Sequence, residues 1–397
     1  MLERRSFLCA LAAAGVAPAA LRARADAQTE ALDAALVLSG GGARGAYEAG
    51  AIGALAATGR IADGSPLPPY ELVCGASIGA LNGWFAATGQ YTKMRELWYN
   101  IAGQQIMRPK ERYAALRDPE SGVIDRAVAA VSLVGLARNQ SGILQSEPAY
   151  DWIVRNVDPS VPLVVPLIWA VTNLTHQRPE YFFLDPEQRS VEFGARVTRA
   201  LQITLGPQTV VRRATPDLLH KAIFASAAIP IAFDPVEMPG PDGVTNAYCD
   251  GGVASNSPVG VAHSIARAAD VILLDPPFQP QTDLDDALAV AFGAYGTMQR
   301  KLIEVEMRTA YFQSMGRRAL ERLSATELAR VTEGHRMLSS YVESVPHTDL
   351  RYLRPTKALP VGVAQFGDEA GIGEAYRIGW QDVAAGFTPY DWETFVL

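Results

Sequence analysis

The chain has 397 residues, 49% of them hydrophobic and 19% charged, with a net charge of −7. This composition fits a globular protein with a large buried core and excludes a disordered chain. The acidic balance excludes a basic nucleic-acid footprint. The three cysteines, Cys9, Cys74 and Cys249, are too few for a disulfide scaffold. No C-x-x-C or H-E-x-x-H spacing occurs, so no metal is expected.

The first stretch, MLERRSFLCALAAAGVAPAALRARA, carries Arg4-Arg5, then Phe7-Leu8, then an apolar run to about Leu21. Small-x-small triplets end at Ala25 and Ala27. Residues 1–27 read as a twin-arginine-like export signal, which implies a periplasmic or secreted protein; an uncleaved leader or membrane tether is the alternative. The apolar run is short for a bilayer span. Cleavage after Ala25 removes four arginines and one glutamate, leaving a more acidic chain. Charge alone would not draw that chain to anionic lipid, so any membrane contact would be apolar.

Further along, residues 34–39 read as a buried strand and 46–57 as a small-residue helix, followed by a Gly/Pro-rich loop over 59–70. YELVCGASIGALNGWFAATG repeats the design: a strand over 71–74, a turn, and a helix from about Ile78. Residues 91–160 carry helical patterns and read as an insertion. VPLVVPLIWAVTNL and EYFFLD read as strands, and Thr215 is positioned to cap a helix through Ser226. TNAYCD is a short strand before a helix near Pro258, DVILLD is another strand, and helical patterns fill 281–342. A strand-like DLRYLRP and a helix near 369–386 close the chain. Continuously apolar strands alternating with helices predict an α/β fold with both sheet faces covered. Residues 34–397 read as a single domain.

Three stretches carry chemistry. In SGGGARG, Gly40, Gly42 and Gly45 fit G-x-G-x-x-G, a pattern of dinucleotide-binding turns. Such a turn wants an acidic residue at the end of a second strand. Asp63 has about the right spacing but lies in RIADGSPLPP, which is loop. The same backbone physics, close approach and converging N–H groups at a helix start, also serves an oxyanion. Arg44 adds charge there, pairs with a carboxylate, or is a plain surface arginine. Second, Gly75-Ala76-Ser77-Ile78-Gly79 matches G-x-S-x-G between an apolar strand and an Ala/Leu-rich helix, the sharp turn that presents a nucleophilic serine. Serine needs a base, and His176, His220, His263, His335 and His347 all lie outside recognisable catalytic motifs. Third, Asp250-Gly251-Gly252 follows a short strand and precedes a helix. It is either a surface Asp-Gly turn or an aspartate able to reach the serine turn from a neighbouring strand.

In this order, GGGARG, GASIG and DGG resemble the patatin-like phospholipase family. Further likeness lies in AIFASAAIPIAFDPVE, YCDGGVASNSPV and FGDEAGIGEAYRIGWQDV, so the resemblance covers nearly all of 34–386. It implies a three-layer α/β/α sandwich with a mostly parallel central sheet and a helical insertion. It also implies a catalytic pair without histidine: Ser77 as nucleophile and Asp250 as proton acceptor, with Gly75 and Gly79 shaping the serine turn and Gly251 and Gly252 the aspartate turn. The glycine loop, Gly40, Gly41, Gly42, Arg44 and Gly45, becomes the oxyanion hole. The implied reaction is hydrolysis of lipid esters, phospholipid or lysophospholipid, through an acyl-serine, with transient contact at a membrane or micelle surface. Neither cofactor nor metal enters this chemistry. A catalytically silent binding member of the same fold is the alternative. Cys74 and Cys249 precede the serine and aspartate motifs; they are two small buried hydrophobes or a neighbouring pair open to a disulfide. Apolar VAAVSLVGLA in the insertion either packs or lines an acyl pocket.

Overall fold

The structure, a computed structural model, describes residues 31–58, 70–104, 106–111, 142–186, 190–276 and 287–397. The export signal, most of the 59–70 loop including Asp63, and VAAVSLVGLA lie outside the described residues.

The sheet is built from β1 (Leu32–Leu38), β2 (Leu72–Ala76), β3 (Leu167–Asn173), β4 (Arg178–Leu184), β5 (Val210–Arg213), β6 (Val236–Pro239), β7 (Thr245–Cys249), β8 (Ala266–Ile272), β9 (Asp349–Leu353) and β10 (Thr388–Pro389). Its main order is β10-β9-β8-β1-β2-β3-β4-β5. Strands β9, β8, β1, β2 and β3 run parallel, while β4 is antiparallel to β3.

Alternation along β1 divides the core. Leu36 and Leu38 point into one apolar cluster, Ala35 and Val37 into another. The first face is covered by α1 (Gly45–Thr58), α2 (Ile78–Ala87), α3 (Tyr91–Asn100), α4 (Glu147–Asn156), α6 (Pro216–Ala227) and α11 (Glu369–Asp382). The second carries α5 (Ser190–Thr204), α7 (Val259–Ile265) and α8 (Ala287–Glu321). The fold is therefore a three-layer α/β/α sandwich with a mostly parallel sheet. Helices α9 (Ala325–Thr332) and α10 (Arg336–Ser344) link α8 to β9.

Several local expectations change. The ends of the segment read as an insertion pack into the core, with Met94, Trp98, Trp152 and Ile153 buried in the first cluster. Helix α5 and strands β5 and β6 are additional elements. β5 and β6 are four residues each, and their burial is partial or alternating, so no apolar run marks them. Thr215 does stand at the start of α6, but its side chain makes no capping bond; its carbonyl receives Leu218 and Leu219 N–H instead.

The largest difference concerns β7. It is not a lateral neighbour of β2. Both strands pair with β3 from the same side, β2 in parallel up to Ala76 opposite Ala170, and β7 antiparallel down to Cys249 opposite Thr172. They meet end to end, with one β3 residue, Val171, between their last partners.

Candidate active site

Ser77 occupies the turn from β2 into α2 with φ 53° and ψ −128°, a left-handed conformation that L-residues adopt at a cost. The flanking glycines make it feasible. A Cβ at Gly75 would strike the Gly79 carbonyl, and one at Gly79 would strike the Leu38 carbonyl. The Ser77 N–H donates to Ser226 Oγ at 2.9 Å, and Ser226 in turn donates to the Ala170 carbonyl at 2.7 Å. The turn is thus tied to α6 and β3, and Ser77 is only 3% exposed.

Asp250 arrives from the opposite direction at the end of β7. Its N–H donates to the Ala228 carbonyl at 2.9 Å and its own carbonyl accepts from Thr172 Oγ1 at 2.8 Å. The carboxylate is held on both oxygens: Oδ1 accepts the Gly252 N–H at 2.6 Å and Oδ2 accepts Ser77 Oγ–H at 2.6 Å. A Cβ at Gly251 would meet the Ala170 carbonyl, and one at Gly252 would meet Asn256 and Gln299, which explains the glycine pair. Burial pushes the Asp250 carboxyl up to about 7, against the pull of the Ser77 hydroxyl, the Gly252 amide and the Tyr295 hydroxyl.

The glycine loop lies against this pair; a Cβ on Gly40 would sit 3.0 Å from the Ser77 Cβ. Gly40 N–H is engaged with the Asn256 carbonyl at 2.9 Å, and Gly45 N–H closes the turn onto Ala43 and Gly42. Ala43 N–H donates to the Val363 carbonyl at 2.9 Å. Gly42 has φ +57°, and a Cβ there would run into that carbonyl. Among the described residues, the Gly41 and Gly42 amides have no protein acceptor. Of the five residues expected to form an oxyanion hole, Gly41 and Gly42 thus carry open amides, while the Gly40 and Gly45 amides are engaged in the turn. Arg44 takes the clamping role: its Nη1 donates to Asp275 Oδ1 at 2.6 Å, just beyond β8, and Arg300 meets the same oxygen at 3.2 Å.

Sequence reasoning did not single out Thr172, Ser226, Asn256, Tyr295, Gln299 or Glu306. Gln299 Nε2 donates to Asn256 Oδ1 at 3.1 Å. Glu306 accepts from Ser255 Oγ at 2.6 Å and Ser257 N–H at 2.9 Å, and burial pushes its carboxyl to about 8. Ser226 and Asn256 lie inside the stretches that carry the family likeness, and Tyr295, Gln299 and Glu306 share a helical spacing; neither signal assigns a role.

The histidines serve elsewhere. His263 is buried in α7, its Nδ1 3.2 Å from Thr348 Oγ1. His347 stands between Ser314 Oγ at 2.6 Å and Asp349 Oδ1 at 3.1 Å, beside a cavity of about 570 Å³. That constellation is not a triad, because Ser314 donates to the Thr348 carbonyl and Arg318 Nε donates to His347 Nε2. The serine proton is committed and the imidazole Nε2 is an acceptor. Cys74 and Cys249 are free and buried. Facing Ile168 and Thr172, they are four β3 residues apart, roughly 13 Å at strand spacing and beyond disulfide reach. Among the described residues, no cluster of three or more His, Cys, Asp or Glu is arranged to hold a metal, and no helix is long and apolar enough to cross a membrane.

A strained serine on a strand–turn–helix, hydrogen-bonded to a buried aspartate beyond the C-terminal end of an interior parallel strand, defines an α/β/α protein with a serine–aspartate site. The family model described as patatin-like phospholipase matches residues 36–263, more than half of the chain, and the chain belongs to that family. Among solved structures, VipD from Legionella pneumophila is similar, with a TM-score of 0.34 and 14% identity over 89% of this chain and 66% of that one. No curated protein matches the chain.

Proposed function

We propose that the protein is a serine acyl hydrolase of lipid carboxylic esters, phospholipid or lysophospholipid, with Ser77 as nucleophile and Asp250 as base. The observation that carries this reading is the 2.6 Å hydrogen bond from Ser77 Oγ to Asp250 Oδ2 beside the open amides of Gly41 and Gly42. Family membership supports a lipid substrate.

In acylation, Ser77 Oγ attacks the ester carbon while its proton passes to Asp250 Oδ2. The carbonyl oxygen becomes an oxyanion, and the two amides, fixed before the reaction, receive its charge. The C–O bond to the leaving alcohol breaks as Asp250 returns the proton to that oxygen. In deacylation, water adds to the acyl carbon, gives its proton to Asp250, and the proton moves to Ser77 Oγ as the acyl bond breaks. An aspartate is a weak base at its ordinary pKa; burial, which lifts it to about 7, brings it close to neutral pH, where general-base catalysis is most effective.

The same proposal has the protein exported by its twin-arginine-like leader and touching the membrane or micelle surface transiently through apolar groups. The test pairs fluorophosphonate labelling with hydrolysis of short acyl esters and phospholipids by wild type, Ser77→Ala and Asp250→Asn. Labelling and turnover lost in Ser77→Ala and turnover lost in Asp250→Asn support the reading. Full activity in Ser77→Ala refutes it, and a wild type inert to esters of every chain length favours a silent binding member.

A further inference from the structure

We propose that Tyr295 is a third, positioning member of the Ser77–Asp250 site, whose hydroxyl holds the Asp250 carboxylate while Ser77 is acylated. This rests on the hydrolase reading above and deepens it.

Asp250 is fully buried, and in the resting site Ser77 supplies the donor to Oδ2 while the Gly252 amide supplies the donor to Oδ1. Acylation removes the Ser77 hydroxyl hydrogen. Until the hydrolytic water arrives, Oδ2 then faces the low-dielectric interior without its donor, a costly state for an ionised oxygen. The Tyr295 hydroxyl lies beside this carboxyl, close enough to draw its pKa down, is itself buried, and completes no aligned hydrogen bond in the resting site. Buried tyrosine hydroxyls ordinarily find a partner, and an orphan one needs a reason. Here the reason is a donor held in reserve. Its ring packs against the main core cluster, which fixes where the hydroxyl points.

The setting supports this role. Tyr295, Gln299 and Glu306 fall on one stripe of α8, since spacings of four and eleven residues return to within about 40° of one direction at 100° per residue. Gln299 holds Asn256, and Glu306 holds Ser255 and Ser257. One helix face thus organises the chain from Asp250 to Ser257, and Tyr295 is its contact with the base. The titratable groups facing Asp250 are Cys249 on β7 and Tyr295 on α8, with Ser77 opposite. Burial pushes the Cys249 thiol to about 12 and the Tyr295 hydroxyl well above its ordinary value, so both stay neutral while Asp250 titrates. During deacylation the water proton goes to Asp250 and then to Ser77 Oγ; Tyr295 keeps its own proton throughout.

The experiment uses the full chain and an activated p-nitrophenyl ester, for which burst kinetics separate acylation from deacylation. Tyr295→Phe keeps the ring and removes the donor. The acid limb of kcat, which reports the acyl-enzyme when deacylation limits, is expected to move up by about one pH unit. The acid limb of kcat/KM, which reports the free enzyme, moves less, because there Ser77 still serves Oδ2 and Tyr295 adds only a weak pull. Difluorotyrosine at 295, a stronger donor, should move the kcat limb the opposite way without disturbing the fold. The proposal is overturned if both limbs move by the same amount or neither moves. A wild type lacking a Ser77-dependent burst defeats the hydrolase reading instead, so the two failures are distinguishable.

Discussion

Asp250→Asn should abolish turnover and at the same time stabilise the fold in a pH-dependent way. Burial raises the carboxyl from its usual 3.8 to about 7, so the folded chain holds a proton that the unfolded chain releases between those values. Stability from this group is present below pH 4 and is lost as pH rises through 7. The shift is about three pH units, and at about 1.4 kcal/mol each the ionised carboxylate costs the fold about 4 kcal/mol at pH 8. Asparagine carries no charge, but its NH2 replaces one acceptor, leaving either the Ser77 hydroxyl or the Gly252 amide mispaired at a cost of about 1–3 kcal/mol. The net expectation at pH 8 is a gain of roughly 1–3 kcal/mol, turning into a loss near pH 4, where wild type is protonated as well. Urea unfolding of both proteins at pH 4, 6 and 8 measures this directly. A difference that is constant across the three, or a variant less stable at pH 8 than at pH 4 relative to wild type, would refute burial as the origin of the shifted carboxyl.

The remaining expectations concern the same site. Wild-type kcat/KM should rise between about pH 6 and 8 with an inflection near 7, because only the ionised base accepts the serine proton; an inflection near 4 would show an ordinary, solvated carboxylate. Gly42→Ala should lower kcat on the order of 10²-fold, since its φ of +57° and the Val363 carbonyl force the loop to shift and with it the two open amides; unchanged kcat would remove those amides from the mechanism. Non-reduced peptide mass spectrometry should find Cys74 and Cys249 as free thiols. In the folded protein both should resist alkylation, because they are buried; a Cys74–Cys249 disulfide peptide would contradict the strand register.

What the sequence determined is local. A serine at φ 53° demands small neighbours, so Gly75 and Gly79 announce the turn, and the continuously apolar β1, β2 and β3 announce a sheet covered on both faces. The glycines of residues 40–45 announce close backbone approach, though not which amides stay open. The tertiary structure decided the rest, because each remaining feature depends on segments far apart in the chain. The Ser77–Asp250 contact joins residues 173 positions apart, and it exists because β2 and β7 run head to head along β3. No local pattern encodes that register, which also keeps Cys74 and Cys249 apart. Arg44 acquires its role only when Asp275 arrives beyond β8. The shifted carboxyl of Asp250 and the unpaired hydroxyl of Tyr295 are consequences of burial, which arises only once α8 has closed over the site.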